Sequence, residues 1–167
     1  MASQPSKKPI HPKTKKKRKP TKSELIKKSI ERSKRSHKEY GTSNLEKKFE
    51  KEFLDKLGVE YKYQFLATDI KRYYDFYLPE QRILIEVDGT YYHAYGKLYE
   101  EMSPMQKHNA RVDKIKNDWA AMHGIPLIRV WEHDINNNPS MVMDMLREQI
   151  GIQMDKLKIK ENKKKRH

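Results

Sequence analysis

Residues 82–88 (RILIEVD) place the first constraint on what this chain can become. Ile83, Leu84, Ile85 and Val87 form an apolar run of the kind found in the central strand of a sheet. The run closes on two acids, Glu86 and Asp88, which period-two alternation places on one face, and Gly89 follows at once. Strand ends that carry carboxylates beside a glycine turn can build a site for a hard cation.

The rest of the pattern surrounds this strand with an α/β domain. Residues 61–66 (YKYQFL), 72–78 (RYYDFYL) and 126–132 (PLIRVWE) are further strands rich in aromatic or β-branched residues, and Pro79-Glu80-Gln81 has hairpin length. Ser43-Asn44-Leu45-Glu46 reads as a capping box opening a helix with Leu45, Phe49, Phe53 and Leu57 at i, i+4 spacing, stopped by Gly58. Ser103-Pro104-Met105-Gln106 starts a second helix, whose expected buried stripe is Val112, Ile115, Trp119 and Met122 and which closes at Gly124. Asn138-Pro139 opens the last helix, in which Met141, Met143, Met145 and Leu146 are expected to pack before the chain runs into a Lys-rich tail. The order helix, three strands, helix, strand, helix predicts a central mixed four-stranded sheet flanked by helices.

Charge is segregated along the chain. Of 167 residues, 37 are Lys or Arg and 23 are Asp or Glu. Residues 1–40 hold 15 basic side chains against 3 acidic ones, residues 150–167 hold 7 against 2, and residues 41–149 hold 15 against 18. A mildly acidic domain between two basic extensions suits a polyanionic partner, with DNA or RNA foremost. The absence of Cys excludes disulfides, thiolate zinc sites and a cysteine nucleophile. No signal-peptide run opens the chain and no stretch approaches the roughly eighteen apolar residues of a membrane span, so a soluble protein is expected.

In residues 73–78 alternation sends Tyr74, Phe76 and Leu78 to one face and Tyr73, Asp75 and Tyr77 to the other. Asp75, Glu86 and Asp88 are therefore three carboxylates gathered by one hairpin, and Mg²⁺ is usually held by one or two carboxylates together with substrate phosphate oxygens. His93 lies four residues beyond Gly89, where a neutral imidazole could deprotonate an attacking water. Edge acids and loop histidines are often only solvated surface, and Glu46 already has a structural use in the capping box. The joint pattern carries the reading.

Tyr-Tyr-Asp-Phe-Tyr-Leu-Pro (73–79), Ile-Glu-Val-Asp-Gly (85–89) and His93 resemble the nuclease core of the very-short-patch repair endonucleases and the EDxHD homing endonucleases. These form a branch of the PD-(D/E)XK, restriction-endonuclease-like superfamily. The similarity covers about residues 43–135, including Leu127–Asp134 (LIRVWEHD). It implies a restriction-endonuclease-like core and a DNA endonuclease that hydrolyses phosphodiester bonds with Mg²⁺ (or Mn²⁺), of the homing type found in phages or other mobile elements. The catalytic positions fall on Glu46, Asp75, His93 and Asp113. Asp75 and the backbone carbonyl of Val87 would bind metal, with Glu86 and Asp88 as additional ligands or outer groups. Asn109 falls in a supporting position one helical turn from Asp113.

The chain departs from the pattern twice. The superfamily's usual Lys, two positions after the strand acid, is replaced by Asp88, which shifts the activation of water to His93, and the repair enzyme's structural zinc site cannot exist without Cys. Two alternatives stay open: a repair-type nicking endonuclease, and a non-catalytic nucleic-acid-binding protein built on a degenerate nuclease fold.

On this reading residues 1–22 are a disordered basic arm, 23–40 a basic helix or linker, 41–150 the nuclease domain and 151–167 a basic tail. Double-stranded DNA would be contacted by Lys15, Lys16, Lys17, Arg18, Lys19, Lys27, Lys28, Arg32 and Arg35, and by Lys163, Lys164, Lys165 and Arg166. Tyr91, Tyr92, Tyr95 and Tyr99 crowd the His93 loop, either to stack on bases or to cover the sheet end. The expected setting is intracellular, in the host cytoplasm or in a nucleus, with no membrane partner and a monomer or homodimer as the working unit.

Overall fold

The structure is a computed structural model that describes residues 43–165. The expected arm at 1–22, the segment at 23–40 with its basic residues, and Arg166 lie outside the described residues. Helix α1 runs through three stretches: α-helical Asn44–Phe49, a wider π-helical Glu50–Leu54 and α-helical Asp55–Leu57. Gly58 ends it at φ +64°, a left-handed conformation that costs a glycine little. The strands are β1 (Lys62–Ala67), β2 (Arg72–Leu78), β3 (Ile83–Asp88) and β4 (Leu127–Trp131). Between β3 and β4 lie a loop with one 3₁₀ turn (Tyr99–Glu101) and helix α2 (Pro104–Met122). Two helices close the described chain, α3 (Glu132–Asn137) and α4 (Pro139–Lys164).

The fold is α/β, with one four-stranded mixed sheet in the order β1-β2-β3-β4 flanked by helices. The first three strands are antiparallel, and β4 joins β3 in parallel after the α2 crossover. The main core fills one face of the sheet: Phe76, Leu78, Ile83, Ile85, Val87, Ile128 and Val130 pack with Phe49, Phe53 and Leu54 of α1, Ile135 of α3, and Val142 and Leu146 of α4. A smaller cluster on the α2 side joins Ala67, Tyr74 and Leu84 to Trp119 and Ala120. Among the described residues no helix is long and apolar enough to cross a membrane.

Two expectations are corrected. First, Tyr74 does not share a face with Phe76 and Leu78: it packs in the α2-side cluster while they sit in the main core. Across β1 the same switch separates Tyr63, against the main core, from Phe65, against the α2-side cluster. Gln64 lies between them at φ +49°, at the level of Asp75 that the paired register skips between Tyr63↔Phe76 and Phe65↔Tyr74. That left-handed residue breaks the pleat, so strict alternation fails on both strands at one level.

Second, the stripe expected on α2 is inward only in part: Trp119 is buried and Val112 half-buried, but Ile115 and Met122 are not. Met122 is 83% exposed and Ile115 is 42% exposed, whereas Gln106, Trp119 and Ala120 are buried. Gln106, Asn109, Asp113, Lys116 and Ala120 repeat at helical spacing and make up the inward face. This face is polar because the part of the sheet it meets carries Glu86, Asp88 and Arg129, which need charged partners rather than apolar ones. The last helix runs on into the segment read as a basic tail. It continues to Lys164, and Lys163, Lys164 and Lys165 are exposed at its end.

Candidate active site

The site grows out of a gap in the β2–β3 ladder, whose paired register spans Leu78↔Ile83 to Phe76↔Ile85. One residue further, the Asp75 side chain takes over: its Oδ2 accepts the Val87 amide N–H at 2.8 Å. This bond turns the Asp75 carboxylate along the sheet toward the C-terminal end of β3. The first residues of α1 come to the same place. Ser43 Oγ accepts the Glu46 amide, but only this half of the expected capping box forms. The buried Glu46 carboxylate instead accepts a long 3.5 Å bond from Gln64 Nε2.

The α2 face supplies the opposite wall, and each of its polar residues has a distinct contact. Gln106 Nε2 donates to the Tyr91 carbonyl at 2.6 Å and Asn109 Nδ2 to the Tyr92 carbonyl at 2.9 Å, which holds the loop before His93. Asp113 Oδ2 meets His93 Nδ1 at 2.8 Å. Lys116 Nζ donates to Glu86 Oε2 at 2.6 Å. From β4, Arg129 grips both oxygens of Asp88 through Nε at 2.6 Å and Nη2 at 2.7 Å, and its Nη2 also reaches Asp113 Oδ1 at 2.9 Å.

Glu46, Asp75, Glu86, Val87, Asp88, His93, Asn109, Asp113 and Lys116 line one cleft of about 580 Å³, with Arg129 and Gln106 outside its lining. Every acid, His, Asn and backbone position singled out in the domain's sequence is therefore brought to a single cavity. The exposed Lys163, Lys164 and Lys165 are not part of it. Tyr91, Tyr92, Tyr95 and Tyr99 are exposed, and Tyr95 also packs against Trp131 and His133.

Sequence reasoning missed three charged residues here. The absent strand lysine suggested a site without an ammonium group, yet Lys116 enters the cleft from α2, 12% exposed and paired with Glu86. Its spacing of three and seven residues from Asp113 and Asn109 was a usable signal. Arg129 sits between the apolar Ile128 and Val130, so its position in an alternating strand also marked it as facing the acids of β3. Glu132, whose carboxylate accepts the Thr90 amide at 2.9 Å, gave no such signal.

Burial sets the electrostatics. Desolvation, reinforced by the neighbouring Glu46 charge, pushes the Asp75 carboxyl well above its ordinary range despite the Val87 hydrogen bond. Glu86 is likewise pushed up, first by desolvation and then by Asp75, with Lys116 opposing. Burial depresses the His93 imidazolium, but the Asp113 hydrogen bond and the Asp88 and Asp113 charges outweigh it, so His93 titrates above an ordinary histidine. Desolvation raises Asp113, and the His93 bond and the Arg129 charge more than reverse it, leaving its pKa lowered.

Two features concern cations. Asp88, His93 and Asp113 offer ligand atoms that all lie within 4.8 Å of one another, a spacing that could hold a metal ion. Beside them Glu86, only 3% exposed, keeps its Oε1 buried without a hydrogen-bond partner among the described residues. A buried carboxylate oxygen in that condition is costly unless something positive reaches it. Compared with known protein families and with curated proteins, the sequence finds no match in either.

Proposed function

We propose that the protein is a divalent-metal-dependent DNA endonuclease with a restriction-endonuclease-like core, of the EDxHD type. The single observation that carries this reading is the orphaned Glu86 Oε1, set in the cleft that Asp75 shares with a His93–Asp113 pair. Buried carboxylates whose pKa values rise through desolvation first and mutual repulsion second are a natural binding site for a cation.

Asp75 and Glu86 would hold the ion, with Glu46 alongside and the Val87 carbonyl as a backbone ligand, and Mg²⁺ or Mn²⁺ matches this all-oxygen set. When bound, the metal would polarise the scissile phosphate and offset the charge that develops there. The chain's own residues do the rest. Asp113 fixes the His93 tautomer by accepting from Nδ1, which leaves Nε2 free to take a proton from the attacking water. Lys116 and Arg129 make the cleft less repellent to a phosphodiester, which its carboxylates alone would exclude. The exposed lysines at the end of α4 supply backbone contacts without sequence preference.

The decisive assay incubates supercoiled plasmid with purified protein in Mg²⁺ or in EDTA. Metal-dependent nicking or linearisation that is absent from the Asp75→Ala variant supports the enzyme. A gel shift with no cutting in either buffer would leave only a DNA-binding protein.

A further inference from the structure

The cleft contains two acidic groups side by side, and they differ in how completely they are neutralised. In the first, all four carboxylate oxygens of Asp88 and Asp113 are engaged. Arg129 takes both oxygens of Asp88 and one of Asp113, and His93 takes the other. A further bond from Arg129 Nη1 to Asn117 Oδ1 at 3.2 Å fixes the fork, and Asp88 is 1% exposed. Bidentate pairing of this kind is strong and geometrically specific. An entering ion would have to evict the guanidinium and leave a largely buried cation without its partner, which is strongly unfavourable.

In the second group, three carboxylates, Glu46, Asp75 and Glu86, face one ammonium, Lys116. When all are ionised the group is short by two positive charges. Among the described residues its Glu86 Oε1 has no hydrogen-bond partner, and its Glu46–Gln64 contact is long at 3.5 Å.

We propose that Arg129 is a built-in counter-cation that closes the Asp88–His93–Asp113 group to divalent metal, so that the cleft takes one ion, at Glu46, Asp75 and Glu86. This deepens the metal-dependent reading and rests on it. Arg129 is a positioning residue: by occupying Asp88 and one oxygen of Asp113, it keeps His93 and Asp113 free for proton transfer rather than ligation. Although the ligand atoms of Asp88, His93 and Asp113 are spaced for a metal, the guanidinium already provides the charge an ion would bring.

The test is Mn²⁺ titration of the full-length, metal-free protein, followed by calorimetry and by loss of the free-ion electron paramagnetic resonance signal. The wild type should bind one Mn²⁺ per chain, Asp75→Asn should bind none at concentrations that saturate the wild type, and Arg129→Met should bind two. Two ions in the wild type, one retained by Asp75→Asn, or a folded Arg129→Met that stays at one would each overturn the inference while leaving a metal enzyme intact. No uptake by the wild type would overturn the metal reading and the inference with it. Should circular dichroism show that Arg129→Met does not fold, the wild type and Asp75→Asn decide the matter between them.

Discussion

On one side of β3, Ile83, Ile85 and Val87 pack into the core with α1 and α4; on the other, Leu84 meets Trp119 while Glu86 and Asp88 meet Lys116 and Arg129. Both faces belong to the same six residues. The apolar side gains stability by removing side chains from water, at roughly 25 cal/mol per Å². The charged side gains little in the same terms, since buried ion pairs often only offset their own desolvation. One face therefore holds the fold together, and the other spends some of that stability to keep carboxylates in a poorly hydrated cleft.

Substitutions should separate the two faces. The largest effect falls on chemistry: Asp75→Ala should reduce Mg²⁺-dependent plasmid cleavage below detection while DNA binding in a gel shift is retained, and a fully active variant would remove the site assignment. His93→Ala should follow with a loss of about 10² to 10⁴-fold in single-turnover rate, the usual contribution of a positioned base. On the opposite face, Ile85→Ala should cost about 2–5 kcal/mol in denaturant unfolding, with the residual folded protein still cutting. Equal losses of activity and stability at both faces would erase the distinction.

The pH dependence sharpens it further. Asp75 and Glu86 have folded-state pKa values above their unfolded ones, so the folded protein binds more protons than the unfolded chain in the intervening range. Their contribution to stability is therefore greatest below the ordinary carboxylate pKa of about 4 and declines as pH rises through the folded values. Melting of the metal-free protein should show this decline, Asp75→Asn should reduce it, and Mn²⁺ affinity should move the opposite way, tightening with pH as the ligands lose protons.

In the proposed mechanism His93 is a base when neutral, so the cleavage rate should climb with pH through a histidine pKa that lies above the ordinary value. Asp113→Asn removes the hydrogen bond and charge that raise it, and should move that limb to lower pH. The smallest effect belongs to the exposed lysines of α4. Lys164→Ala should weaken DNA binding about equally on all sequences and lower the salt slope by about one.

Much of this division could be read from the amino-acid order alone. Short-range rules identified the four strands to within a residue, the start of α2 at Ser103 and the stop at Gly58, because caps, turns and β-branched runs act over a few neighbouring residues. The acids of β3, Asp75 and His93 stood out for the same reason: each breaks an otherwise consistent local pattern. Which cation pairs with which acid was not legible, since Lys116 lies 30 residues from Glu86 and Arg129 lies 41 residues from Asp88.

Tertiary packing decided which acids are neutralised, which face of α2 turns inward and where the pleat breaks at Gln64. A charged residue's role depends on the low-dielectric surroundings and the distant partners that the fold assembles around it, and neither is encoded by its immediate neighbours.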